Sequence, residues 1–215
     1  MFAVNTYVVW DDASREAAIV DPGMVSEADN NKLSEFIRRN DLRIKYLINT
    51  HLHIDHTLGN DYIEAKYAVG TYAHPADSFL GQQRAGQARM FGLGMAPKPL
   101  DITHELKDKE KLWLGKEVLE VLAVPGHSPG SIALYSPDGG FVITGDALFN
   151  RGIGRTDLPG GNHKTLIESI TKRLFTLPPE TMVYPGHGPE TTIGDERIAN
   201  PYVLSLIHIS EPTRP

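Results

Sequence analysis

Three imidazoles and a carboxylate fall within six residues at His51-Leu52-His53-Ile54-Asp55-His56. Crowding these groups together without a cation forfeits their solvation and sets up repulsion whenever the rings protonate, so the stretch reads as a metal-binding segment. In an extended backbone, residues two apart project to one side, which lets His51 and His53 converge on one ion. Asp55 and His56, adjacent at the expected turn into the next element, can face a second. Further on, His127, Asp146 and His187 each follow an apolar run and sit beside a glycine, where the chain can turn and approach closely. Together these make seven candidate ligands at the ends of strands. With no cysteine in the chain, thiolate ligands, disulfides and a cysteine nucleophile are excluded, and any metal must rest on histidine and carboxylate.

The stretch GHSPGS at 126–131 offers a competing chemistry, because G-x-S-x-G can place Ser128 on a nucleophile elbow. Such an elbow uses the backbone N–H of the residue after the serine, and here that residue is Pro129, which has none. The elbow also needs a helix after the turn, whereas SIALYS reads as a strand. The sequence therefore assigns the chemistry of this loop to His127.

The elements that must position these residues can be read from periodicity and turn signals. Thr6–Trp10 and Glu16–Val20 form an expected hairpin, stopped by Asp21-Pro22-Gly23. Ser26 is an expected N-cap for a helix over 27–40, and Ile44–Thr50 is a buried strand running into the histidine cluster. A helix over 59–67, a strand at 71–73, strands at 118–124, 132–136 and 141–144, a helix over 164–176 and a strand at 182–184 follow. The segment 82–99 loses periodicity and is expected to be irregular, either a covering loop or a mobile one. Strands in two groups with helices outside imply stacked sheets under helices, an α/β architecture.

At 215 residues, with 40% hydrophobic and 22% charged residues, the chain fits one soluble domain. A net charge of −6 gives no basic footprint for nucleic acid or anionic membrane, so neither is expected as a partner and a small molecule is. No apolar run approaches the ~18 residues of a membrane span and the N-terminus lacks a basic region, so the expected location is the cytoplasm.

NTHLHIDH at 49–56, PGHSPGS at 125–131, TGDALF at 144–149, GRTDLPGG at 154–161 and YPGHGPETTIG at 184–194 occur in one order between Asn5 and Val203. In these stretches the chain resembles the metallo-β-lactamase superfamily, and within it the glyoxalase II-like (hydroxyacylglutathione hydrolase-like) branch. The resemblance implies an αββα four-layer sandwich with a dinuclear site at the strand ends. It implies that His51, His53 and His127 hold one divalent ion, that Asp55, His56 and His187 hold another, and that Asp146 bridges them. Zinc is the expected metal, with iron or manganese as alternatives. A water shared by two such ions is acidified from ~15.7 toward ~7, so a bridging hydroxide can attack a thioester carbonyl, with Asp55 ligating and orienting it as the catalytic carboxylate. Arg155 and Lys164 are candidate contacts for an anionic, glutathione-like part of the substrate, while His74, His104, His163 and His208 match no ligand position.

The rival within the fold is a persulfide dioxygenase with a single iron on His51, His127 and Asp146. A diiron oxygen-reducing module carries Glu where this chain has His53, and a non-catalytic metal-binding domain is the reading of another class. Oligomeric state is not legible. The fold is expected to span residues 1–203 with a truncated start. LSLIHISEPTR at 204–214 reads as the translation of a sequencing-library adapter, so 204–215 is expected to lie outside the fold.

Overall fold

A computed structural model of the chain describes residues 3–203. The expectations for Met1 and for the tail at 204–215 fall outside the described residues. The chain opens with a hairpin, β1 (Tyr7–Trp10) and β2 (Glu16–Val20), followed by α1 (Glu27–Arg39). The Ser26 hydroxyl accepts from Asp29 N and caps α1, as the sequence predicts for a helix start. Next come β3 (Arg43–Ile48), the short α2 (Ile54–Thr57), α3 (Asn60–Tyr67), β4 (Thr71–Ala73), α4 (Ser78–Gln82), α5 (Arg84–Met90) and β5 (His104–Glu105). The first sheet has the order β1-β2-β3-β4-β5, antiparallel at the hairpin and parallel beyond it.

The second half supplies β6 (Lys111–Leu114), β7 (Glu117–Ala123), β8 (Ile132–Ser136), β9 (Phe141–Gly145), the small pair β10 (Leu148–Phe149) and β11 (Gly152–Ile153), and α6 (His163–Lys172). It ends with β12 (Met182–Pro185), β13 (Thr191–Thr192) and α7 (Ile193–Ala199). The second sheet has the order β13-β12-β9-β8-β7-β6. Its β12–β9 contact is parallel and the rest antiparallel.

Alternation along the strands builds the layers. In β2, Ala18 and Val20 face the second sheet and pack with Leu119, Val121, Ile132 and Leu134, while Ala17 and Ile19 face α1 and α3 and pack with Ile37 and Ile63. On the far side of the second sheet, Leu122, Ala133, Val142 and Val183 pack under Leu166 and Ile170 of α6. Helix, sheet, sheet and helix thus lie in four layers, the αββα arrangement.

Two expectations need correction. The segment 82–99, read as irregular, contains α5. Its inward face is made by Arg84 and Ala88 rather than by large apolar side chains, so no apolar period marks it. The strand expected to run to Thr50 ends at Ile48, and His51 and His53 lie in the loop between β3 and α2 rather than on a strand. No described helix is long and apolar enough to cross a membrane.

Candidate metal centre

The seven candidate ligands lie on the same edge of the sandwich, in the loops and the short helix α2 that follow its strands. His51 and His53 follow β3, Asp55 and His56 lie on α2, His127 follows β7, Asp146 follows β9 and His187 follows β12. Their ligand atoms form three sets in which all atoms lie within 4.8 Å of one another: His51, His53 and His127; His51, His56 and Asp146; Asp55, His56 and His187. His127 Nε2 stands 2.8 Å from His53 Nδ1 and 3.2 Å from His51 Nε2. On the other side, His56 Nε2 stands 3.3 Å from His187 Nε2, which is 3.3 Å from Asp55 Oδ2. Asp146 lies between the groups, with Oδ1 3.3 Å from His56 Nε2 and Oδ2 3.6 Å from His127 Nε2 and 3.5 Å from His187 Nε2.

Hydrogen bonds on the outer nitrogens fix which ring atom faces inward. His127 Nδ1 donates to the Arg155 carbonyl at 2.7 Å and His187 Nδ1 to the Ala3 carbonyl at 2.9 Å. The Thr50 hydroxyl donates to Asp21 Oδ2, which leaves its oxygen to accept from His51 Nδ1 at 3.1 Å. His56 Nδ1 makes no hydrogen bond but lies within ion-pair distance of Asp21 Oδ2, at 3.1 Å. In neutral rings, the Nε2 lone pairs of His51, His56, His127 and His187 converge, an arrangement suited to a cation bound between them. A tetrahedral site with ~2.0–2.1 Å metal–nitrogen bonds has ligand–ligand edges of ~3.3–3.4 Å, close to most of the separations seen here, with the His53–His127 pair shorter. Asp146 Oδ1 is buried with no hydrogen-bond partner, a further sign that the donor set suits a bound cation.

Charge is distributed unevenly. Burial, reinforced by the other rings, holds His51 well below its ordinary pKa, and burial with His127 beside it lowers His53 to about 3. Burial also keeps His127 low against the pull of Asp146. Burial opposes the charged form of His56 too, but the Asp146 and Asp21 carboxylates hold it well above the ordinary value. The hydrogen bond to Asp55 raises His187. Burial works against ionised Asp146, yet His56 and the neighbouring rings bring it down to about 2. Asp55 is likewise held below the usual range, because the His187 hydrogen bond and His56 outweigh its burial.

Glycine is required where the ligand loops meet. A Cβ on Gly186 would collide with Asp146 Oδ1 and His56, and Gly126, at φ +136°, lies against the Leu166 backbone of α6. Beyond the ligands, sequence reasoning missed two acids and an arginine. Asp21, a buried residue at φ +50° that the sequence marks only as a strand stop, accepts from Thr50 N and Oγ1 and steadies both His51 and His56. Asp77 accepts from Leu52 N, Ser128 Oγ and Gly130 N, tying the loop of His51 and His53 to the loop of His127. Fully buried Arg84 donates to the Thr57 carbonyl at the end of α2 and pairs with Asp61 at 3.2 Å. Nothing local in the sequence marks these three, because their partners are distant in the chain.

Of the candidate substrate cations, Arg155 lines the cavity over the cluster, but its guanidinium grips Asp157 in two bonds of 2.7 and 2.8 Å and its carbonyl holds His127. Lys164 sits exposed near the start of α6 and lines none of the described cavities, so the structure does not bring it to the site. Among the described residues, no histidine hydrogen-bonds Ser128, whose hydroxyl is committed to Asp77 and Ser131. Ser128→Ala is accordingly expected to keep turnover within about threefold while losing ~1 kcal/mol of stability. A hundredfold rate loss in a folded variant would restore the serine as nucleophile.

The cavity over the cluster has a volume of about 380 Å³, within the ~300–1,000 Å³ of small-molecule sites. Comparison with known proteins agrees with this geometry. A family profile described as the metallo-beta-lactamase superfamily matches residues 1–187. The hydroxyacylglutathione hydrolase GloC of Haemophilus influenzae is 37% identical, over 95% of this chain and 94% of its own. The mitochondrial persulfide dioxygenase ETHE1 of Homo sapiens is 32% identical, over 91% of this chain and 70% of its own. The crystal structure of TTHA1623 in a di-iron-bound form superposes with a TM-score of 0.81 at 35% identity, covering 94% of this chain and 97% of that one.

Proposed function

The chain belongs to the metallo-β-lactamase superfamily, and from that premise we propose that it is a dinuclear metallohydrolase acting on glutathione-type thioesters. The observation that carries this reading is the position of Asp146, within 3.3 Å of His56 and 3.6 Å of His127, between two separate ligand groups. His51, His53 and His127 would hold one ion and Asp55, His56 and His187 the other, with Asp146 shared; zinc suits this nitrogen-rich set. Two ions so held supply Lewis acidity and an acidified water at neutral pH. Asp55, kept anionic, lines the cavity, where it would hold an ion and orient the attacking water. Thr50 and the carbonyls of Arg155 and Ala3 hold the His51, His127 and His187 rings in the tautomer that presents Nε2, while His53 turns Nδ1 to the cluster. A thiol of ordinary pKa ~8.5 leaves as its thiolate without an acid donor, so the committed guanidinium of Arg155 is no obstacle. The 37% identity with the hydroxyacylglutathione hydrolase supports the thioester assignment.

A second reading, a single-iron persulfide dioxygenase on His51, His127 and Asp146, is favoured by the 32% identity with ETHE1. Zinc-loaded protein given S-lactoylglutathione without oxygen separates the two. Turnover supports the hydrolase, whereas no thioester turnover together with oxygen uptake on glutathione persulfide by iron-loaded protein overturns it.

Metal binding should also release protons in a defined number. The ligands must be neutral imidazoles. His51, His53 and His127 are already neutral near neutral pH, while His56 and His187 have raised values and hold protons in metal-free protein. Affinity therefore rises with pH through the raised values of these two. Calorimetry in buffers of different ionisation heat should find about two protons released per chain near pH 6.5. Release of four or five would mean that the buried rings also carry charge.

A further inference from the structure

Two cavities meet at His53, Phe91 and Leu158, which line both. The first lies over the ligand cluster and carries Asp55, Asp146 and Arg155. The second, of about 200 Å³, runs along α5 and is walled by Leu80, Gly86, Met90 and Pro159 together with the shared residues. Among the described residues no aspartate, glutamate, lysine or arginine lines it. Two glutamines lie in its wall: Gln83 is exposed to solvent, and the Gln87 amide is committed on both sides, with Nε2 donating to the Leu80 carbonyl at 2.8 Å and Oε1 accepting from Ile54 N at 3.0 Å.

We propose that this side cavity receives the acyl chain of the thioester, making the enzyme selective for short, unbranched, apolar acyl groups of about four to six carbons; this rests on the thioester reading above. The acyl chain is bonded directly to the carbon under attack, which must lie at the ligand cluster, so it starts beside His53, a residue common to both cavities. The thiol arm of a glutathione-type substrate carries charges that an uncharged pocket cannot compensate, so that arm stays on the open side by Arg155. At ~30 Å³ per water-sized group, the volume admits about six such groups. Gly86 leaves part of that room, since a Cβ built on it meets nothing nearer than Arg89 Nη2 at 3.9 Å.

The test is a series of straight-chain acyl thioesters of one thiol, acetyl to octanoyl, hydrolysed by the zinc-loaded full chain. Specificity, kcat/KM, is expected to rise about fourfold per methylene up to about six carbons and then to stop rising. Gly86→Leu, which occupies the cavity, is expected to lower the hexanoyl-to-acetyl ratio at least tenfold. Leu158→Ala, which widens the junction, is expected to move the optimum to longer chains and gives a second reading should the leucine variant fold poorly. A flat chain-length profile in active protein, or an unchanged profile in either folded variant, overturns the acyl-pocket assignment and leaves the thioesterase reading standing. Absence of hydrolysis of every thioester overturns both.

Discussion

Asp146→Ala protein should hydrolyse thioesters about a thousandfold more slowly than the parent, ~4 kcal/mol of transition-state stabilisation, and should bind fewer than two ions per chain. The size of the effect follows from the position of this carboxylate. Its oxygens face His56, His127 and His187, so its removal takes a donor from each side at once and leaves the rings without their central counter-charge. Asp146 is also the main group holding His56 in its protonated form, so the metal-free variant should release fewer protons on zinc binding than the parent. Metal content by mass spectrometry and rates at saturating zinc decide the matter. Full occupancy with parental turnover would remove Asp146 from the shared position.

Asp77→Ala should lower the thermal midpoint by about 10 °C. Among the described residues, the two backbone donors Leu52 N and Gly130 N have no other acceptor, and each buried donor left unmade costs ~1–3 kcal/mol. Ser128 can turn its hydroxyl to Ser131, so the expected total is about 3–5 kcal/mol, at ~2–4 °C per kcal/mol for a chain of this size. Because the same carboxylate ties the two ligand loops, the variant should also hold metal less tightly at a temperature where it remains folded. Burial raises the Asp77 pKa despite its three donors, so Asp77→Asn, which keeps an acceptor without the buried charge, should recover part of the stability. A melting point within about 2 °C of the parent for Asp77→Ala would show that the loops are held by other contacts.

Much of this was legible in the sequence, for reasons that differ by element. The hairpin, α1 with its Ser26 cap, β4 and β8 follow local patterns of apolar period and turn residues, which the tertiary structure does not override. The seven clustered residues stand out because their side chains have few structural uses so close together, and the fold brings all seven to one edge. The helix α5 was hidden because its buried face holds an arginine and an alanine. Asp21 and Asp77 were hidden because an acid earns its place through donors 25 to 53 positions away, which no window of sequence displays. Lys164 was suggested by chain proximity to the ligand loops, but the first turn of α6 presents it to solvent.

The most direct test is a zinc titration of metal-free protein followed by native mass spectrometry, with thioester hydrolysis recorded without oxygen at each step. Two ions per chain, with turnover reaching its plateau as the second site fills, is the expected result. Saturation at one ion per chain, with no thioester turnover at any occupancy, would contradict the dinuclear hydrolase.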